Sequence, residues 1–485
     1  MLTAYAVRVQ AGGTLTLNGG VNLRAEGTGT MNQAAALYIY NPLSSTNLPT
    51  VTINDANLSA DEGYAVRISS SVGQHSLTIN GGTFLSESIS ETAQLINNDN
   101  EDYVTINGGT FYNWNAALDA PLVSEGSCMV IDENNAVTIQ QDPPAGYIAS
   151  ATTGDGLEAY LTGGNLYNLI GRTRVALNKY GGSMEIAGNV TCAYPTEGTA
   201  TSRYFGTANE SELMPTLNLS IAEGATLSGS MPLMAADVNV TGSGTVADGF
   251  FTPYTATYEV SSSVNGDVTE YRGRIASQRV VATLVVGGES YNYSNIVTAI
   301  SNAKITADST LVLQQDVSFG GTTTTSNSGV IDSSNNIGLT LDLNGHTLTY
   351  EGSRDAFQVQ GTGKFLTLID NSETSGGSLV ASSANSAVCT YSGSTGAHIT
   401  IGEGVTVKGL ALITGTDATL DVYGTVDTTG LTATYNGQTY SVPAIQNNGS
   451  STTNSTINLY DGAVVRSDSH AIYHPGTGDV YKRQP

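Results

Sequence analysis

Short stretches in which apolar and polar residues alternate return along this chain at near-regular intervals. LTLNGG (15–20), VTINDA (51–56), LTINGGTF (77–84) and VTINGGTF (104–111) are variants of one phrase, with starts 36, 26 and 27 residues apart. A shorter phrase precedes each: AVRV (6–9), ALYI (36–39), AVRI (65–68) and AQLI (93–96). Two apolar strands therefore recur about once per 28 residues. In VTINGGTF the apolar Val104, Ile106 and Phe111 are set against polar Thr105 and Asn107, the period of two expected of a strand with one buried face. The Asn-Gly-Gly that follows the strand suits a turn with positive φ, where glycine carries no Cβ penalty. Such recurrence in register predicts parallel stacking of one repeat on the next, with inward Ile, Val and Phe piled into one core at intervals of about 4.8 Å. Phe84 and Phe111 are then expected to stack on each other. An antiparallel sandwich would show turns about every 8–12 residues without a returning phrase.

The last third of the chain uses the same idea in different wording. LTLDLNGHTLTY spans 339–350, and AFQV (356), AVCT (387), ALIT (411), AIQN (444) and AIYH (471) follow, 31, 24, 33 and 27 residues apart. Among them lie FLTLID (365–370), HITIGEGVTV (398–407) and ATLDVYGTV (418–426). A longer period overlies these repeats. Residues 284–318 read as strand, Gly287-Gly288 turn, short helix near 295–304 and strand TLVLQQDV. Asn295 is a good helix cap, and Ile296, Val297, Ala299 and Ile300 are assigned to the apolar face. A looser copy covers 160–191, with Gly163-Gly164, LYNLIGRTRVAL and SMEIAGNVT, and Asn189-Val190 answers Asp316-Val317 127 residues on. Such a helix suits the open end of a stacked-strand array, where it covers unpaired backbone and core.

Three modules are expected: 1–148, lacking its strand–helix–strand lead-in; 149–279, shorter; and 280–485, ending in mid-repeat. Boundaries fall near Pro143-Pro144 and Gly273. The start enters a strand pattern without the basic segment and apolar stretch of a signal peptide. GTGDVYKRQP at the end breaks the local composition. Both ends read as cuts within a longer chain.

Composition narrows the partners. Charged residues make up 12% and hydrophobic residues 39%, with 56 glycines among 485 residues. That is apolar enough to offset chain entropy, which disfavours simple disorder. A net charge of −25 with 17 Lys and Arg would repel a phosphate backbone and an anionic membrane surface, so no nucleic-acid partner is expected. A divalent cation or a neutral or cationic glycan stays compatible. No apolar run is long enough for a transmembrane helix. The three cysteines, Cys128, Cys192 and Cys389, stand far apart with no CxxC or Cys/His spacing, which gives neither a zinc site nor a disulfide framework.

The segment Tyr291–Thr349, with its NIVTAISNAK helix, LVLQQDVSF strand and LTLDLNGHTLTY phrase, resembles the lead-in of pectin-lyase-like right-handed parallel β-helix repeats of large bacterial surface and adhesin-like proteins. INGGTF at 79–84 and 106–111 fits the same group. The likeness covers most of the chain, most clearly 1–140 and 281–475. It implies an all-β fold, a three-faced right-handed coil and a secreted or cell-surface location. It does not imply one function, because the fold hosts lyases, hydrolases and adhesins alike.

Polysaccharide hydrolysis needs two carboxylates flanking the scissile bond. The chain has no Asp-Asp pair and lacks the Asn-Thr-Asp, Gly-His-Gly and Arg-Ile-Lys phrases of β-helical polygalacturonases. Asn344-Gly345-His346 comes nearest, in a phrase read as having no acidic partner in the adjoining one, and is taken as a turn with a surface histidine. Arg354-Asp355, the only adjacent Arg-Asp, reads as a solvated loop. Asn98–Asp102 gathers oxygen donors that a hard cation such as Ca2+ accepts, though a solvated acidic loop is the plainer reading, and no cofactor is expected. Aromatic residues give the binding lead: 25 Tyr against 8 Phe and one Trp. Tyr112, Asn113 and Trp114 follow the second INGGTF, where an aromatic beside an amide suits stacking on a sugar. The competing reading is that Trp114 covers the edge of the strand array. Tyr38, Tyr40 and Tyr64 are assigned to strand faces or corners. The expectation is a non-catalytic extracellular protein for adhesion, display or contact with glycans or a surface protein. A polysaccharide lyase or hydrolase and a passive spacer are the alternatives.

Overall fold

Strand accounts for 53% of the protein and helix for 6%, and parallel pairing predominates. The structure, a computed structural model, describes residues 5–26, 34–40, 47–61, 63–68, 76–86, 96–97, 104–112, 123–193, 204–210, 214–320, 330–331, 335–373, 376–382, 385–435, 437–474 and 477–482.

The first returning phrase pairs as the sequence predicts. Leu15, Val51, Leu77 and Val104 are successive partners in one parallel sheet, as are Thr16, Thr52, Thr78 and Thr105. The apolar members turn inward and the threonines outward, since side chains alternate along a strand. At the strand ends Asn18, Asn54, Asn80 and Asn107 form an amide ladder, each Nδ2 donating to the preceding Oδ1 at 2.9 Å. An amide carries both donor and acceptor, so it can bond to its own kind above and below. After this ladder the second glycine of each Asn-Gly-Gly turn has positive φ, 109° at Gly82 and 122° at Gly109. A Cβ on Gly82 would lie 2.3 Å from the Ala56 carbonyl oxygen. The expected Phe84–Phe111 stack is present, with ring centroids 4.7 Å apart and both side chains fully buried.

Two registers differ from the phrase alignment. Ile96 pairs with Val66 rather than with Ile68, a slip of two residues along the strand. In the last third Val388 pairs with Ala411, and Ala411 with Ile445, so ALIT sits one residue off its counterparts. The Leu410 carbonyl receives the Ala387 N–H, so the repeat begins at Leu410.

Antiparallel pairing marks the lead-ins. Ala282–Val286 pairs antiparallel with Glu289–Tyr293 and with Ser309–Leu313, which then pairs parallel with Leu339–Asp342. Ala149–Thr153 repeats the pattern with Glu158–Leu161 and Gly182–Ile186, which continues parallel into Thr216–Ile221. Among the described residues each unit carries one α-helix, at the matching place, Leu166–Tyr180 and Ile296–Ala303. Asn295 caps the second helix, accepting from the Val297 and Thr298 N–H groups at 2.9 and 3.1 Å. Its buried face is Ile296, Ala299, Ile300 and Ala303, while Val297 is exposed. The stripe follows i, i+3, i+4, i+7, which excludes Val297 from the assigned face.

The chain divides into two compact units, Met1–Ala208 with Leu213–Arg274, and Asn209–Glu212 with Ile275–Pro485. Each has its own apolar core. In the first unit Cys128–Ile131 pairs parallel with Glu158–Leu161, and one sheet runs from Val21–Ala25 to the hairpin Tyr258–Asn265/Val268–Ile275. In the second unit buried Glu210 accepts the Ile275 N–H at 2.8 Å and the Asn292 Nδ2 at 3.1 Å.

Truncating Phe111 to Ala leaves a cavity beside Phe84 and should cost about 3–5 kcal/mol. Asn80→Ala removes two ladder bonds and should cost about 1–3 kcal/mol. Urea denaturation of the whole chain reads both, and a fully stable Asn80→Ala would deprive the ladder of any part in holding the repeats.

Candidate functional site

Of the aromatic trio expected to contact a ligand, Tyr112 is 41% exposed, and its N–H donates to the Phe84 carbonyl at 2.9 Å. Asn113 and Trp114 lie outside the described residues, as does the acidic loop Asn98–Asp102.

Asn344-Gly345-His346 is a turn, with φ of 48° at Asn344 and 79° at Gly345, and its acidic surroundings differ from the expectation. Asp370, in the adjoining phrase, accepts the Gly345 N–H at 2.7 Å, the Gly377 N–H at 2.8 Å and the Ser372 hydroxyl at 3.0 Å. Buried Asp342 accepts the N–H groups of Asn344 and Asn371 and the Asn371 side-chain amide. Asp316 accepts the Thr347 N–H at 2.8 Å and lies 3.5 Å from His346 Nδ1. Acidic partners from the preceding and following repeats are therefore present. They became visible only with the fold, because each is about thirty residues away in sequence. Asp342 and Asp370 have their lone pairs directed at backbone and side-chain donors, the arrangement of a turn clamp.

The outward face of the second unit carries a different group. Thr367, Thr400, Asp421 and Asn458 are successive partners across parallel strands. Asp421 accepts from Asn458 Nδ2 at 2.7 Å, and its other oxygen lies 2.9 Å from Nε2 of exposed His398. Tyr460 reaches the first oxygen at 3.5 Å, and its ring stacks on Tyr423 with centroids 4.0 Å apart and planes 8° off parallel. The result is a shelf with a flat paired-ring surface beside a carboxylate, an amide, an imidazole and hydroxyls. Amide and hydroxyl groups beside an aromatic face can take a sugar ring and its hydroxyls together. Asp421 is the one carboxylate among the described contacts of this shelf, and both its oxygens accept hydrogen bonds.

A second aromatic pair sits on the first unit. Tyr147 donates to Glu185 at 3.1 Å and Tyr160 to Glu158 at 3.2 Å, with the rings edge to face. Burial, then the neighbouring Glu158 carboxylate, pushes the Tyr160 phenol up to about 12, too high to exchange protons at neutral pH. All three cysteines are buried, and none is in a disulfide. Burial raises the Cys128 and Cys389 thiols above their ordinary value, with Glu158 and Asp355 adding to the effect in turn.

The signal for the shelf was in the phrases. TLDVYGTV (419–426) and TINLYDGAV (456–464) carry Asp421/Asn458 and Tyr423/Tyr460 at matching places. Aligning the repeats and reading their polar positions down the column would have found it. Comparison of the chain with protein-family models, with curated proteins and with solved structures gives no match in any of the three.

Asp370→Ala should cost about 1.5–3 kcal/mol, the worth of hydrogen bonds to a charged acceptor. His346→Ala, which breaks only a solvent-exposed contact, should cost under about 0.5 kcal/mol. Thermal melts of the two variants decide whether this corner is a turn clamp. Thiol titration in the native state at neutral pH should find none of the three cysteines and in denaturant all three, since burial disfavours the reactive thiolate.

Proposed function

We propose that this chain is built of right-handed parallel β-helix modules and acts outside the cell, without catalysis, by presenting strand faces to glycans. The in-register parallel strands, the amide ladder and the matching hairpin–helix–strand lead-ins support the coil. The resemblance of Tyr291–Thr349 to surface-protein repeats supports the location.

One observation carries the glycan reading. Two outward columns are made mainly of hydroxyl and amide groups, Thr16–Thr52–Thr78–Thr105 in one unit and, with the carboxylate of Asp421 among them, Thr367–Thr400–Asp421–Asn458 in the other, the latter beside the Tyr423–Tyr460 stack. Polar groups repeated at about 4.8 Å along a stack of strands offer many hydrogen bonds to an extended polyhydroxylated chain, and paired rings supply its apolar contact. The predicted Tyr112–Asn113–Trp114 segment belongs to the same proposal as a second contact.

Screening the whole chain on an array of neutral plant, mucin and bacterial glycans should give binding that Tyr423→Ala or Asn458→Ala weakens by about tenfold, the worth of one stacking contact or hydrogen bond in a shallow site. Silence across the array would leave the spacer reading. Release of new reducing or unsaturated ends from a polysaccharide would replace the proposal with an enzyme.

A further inference from the structure

The outward face of the first sheet departs from the threonine and asparagine pattern. Tyr5–Gln10, Ala35–Tyr40 and Tyr64–Ile68 are parallel neighbours, and in one row across them Arg8, Tyr38 and Arg67 are direct partners. Val9, Ile39 and Ile68, one position along, are buried in the core, which places that row on the opposite face. The two guanidinium carbons each lie 5.5 Å from the Tyr38 ring centroid. Arg8 also lies 4.8 Å from the Tyr40 centroid, and Tyr5 stacks on Tyr38 at 4.3 Å. So covered, Tyr38 is only 8% exposed, while Arg8 remains exposed.

Among the described residues no carboxylate takes part in this arrangement. Arg24, Arg272 and Arg274 each pair with an Asp or Glu, but among the described residues neither Arg8 nor Arg67 has an ion pair. In a chain with 17 cationic and 42 acidic side chains, two arginines bracketing a tyrosine with no acid between them are a local reversal of charge. A guanidinium stacked through its face keeps its N–H edge free for a planar anion.

We propose that this face holds a glycan whose terminal sugar carries a single carboxylate. The carboxylate bonds to the N–H edge of Arg8 or Arg67, and the sugar's apolar side rests on Tyr5 and Tyr40. The charge balance selects one negative group over many. A polyanion would meet repulsion from the chain's net −25, whereas screening over about 8 Å at physiological ionic strength leaves a lone carboxylate to feel mainly the two guanidiniums. The site is separate from the tyrosine shelf, and it rests on the proposed function only in taking outward strand faces to meet glycans.

The test uses the whole chain, with 3′-sialyllactose as the acidic probe and lactose as its neutral counterpart, read by titration calorimetry or ligand-observed NMR. Sialyllactose should bind at least about tenfold more tightly than lactose, as a charge-assisted hydrogen bond would give, and should weaken as salt is raised. Arg8→Gln with Arg67→Gln should abolish the difference. Arg24→Gln with Arg272→Gln, which removes two positive charges elsewhere, should leave it intact. Circular dichroism and melting of each variant separate lost binding from lost folding, and Arg67→Gln alone gives a milder variant should the double one unfold. Equal affinity for the two sugars, an unchanged preference in the folded double variant, or tighter binding of polygalacturonate than of sialyllactose would each overturn the proposal. Neutral glycans bound at the shelf without any acidic preference here would sink this inference alone. Silence toward every glycan would sink both.

Discussion

Parallel, in-register stacking obliges each side chain to sit beside its own equivalent, one strand spacing away. Few residues tolerate that. Apolar chains do so inside, as the Leu15–Val51–Leu77–Val104 column does. Amides do so because each donates to one neighbour and accepts from the other, as Asn18–Asn54–Asn80–Asn107 shows. Like charges do not. At about 4.8 Å they repel by roughly 1 kcal/mol per pair even in water, and the cost is repeated along the column. The low charged fraction of this chain is thus a structural requirement of the repeat.

Where charges enter the columns, their neighbours confirm the rule. Lys408, Asp427 and Arg466 are successive partners and alternate in sign. Hydrogen bonds from the Thr429 hydroxyl and N–H hold the Asp427 carboxyl below its ordinary value, with Arg466 and Lys408 adding to the effect. Asp421 follows Thr400 and precedes Asn458, and Arg8 and Arg67 are separated by Tyr38. The same constraint governs the ends of the arrays. A strand with a free edge invites further pairing. In the second unit the lead-in folds a hairpin antiparallel onto the incoming strand and lays a helix against the core, whereas in the first the equivalent hairpin joins the preceding strands through Glu158–Leu161 and Cys128–Ile131.

Much of this was legible in the sequence, because stacking turns spatial neighbours into repeated words. The strand pairings of the first phrase, the Phe84–Phe111 stack, the Asn-Gly-Gly turns and both helices follow from period and composition alone. Register was lost where the words changed length. The alanine at 411 marks the repeat one residue late, because Leu410 fills the place that alanine holds in its counterparts. Val297 has the residue type of the apolar face, but its angle around the helix points it to solvent. The proposed contact surfaces were harder still. Tyr423 with Tyr460, and Arg8 with Arg67, are distant in sequence, and each position alone is an ordinary polar or aromatic strand residue. Their meaning lies in the column rather than in the word.

The same constraint bears on catalysis. A glycosidase places two carboxyl groups about 5–10 Å apart across a bond, a spacing that spans one or two strands of such a stack. Two acids in one outward column would repel unless a cation or a set of donors held them, and here the acids of the Asn344–His346 corner are held by donors. Asp342 and Asp370 are separately bound to turn N–H groups, which fixes backbone rather than substrate. Releasing either carboxylate to act on a sugar would undo the turn that positions it. The acids of this corner are therefore committed to holding its turns, and in the proposed reading ligand contact falls to hydroxyls, amides and stacked rings.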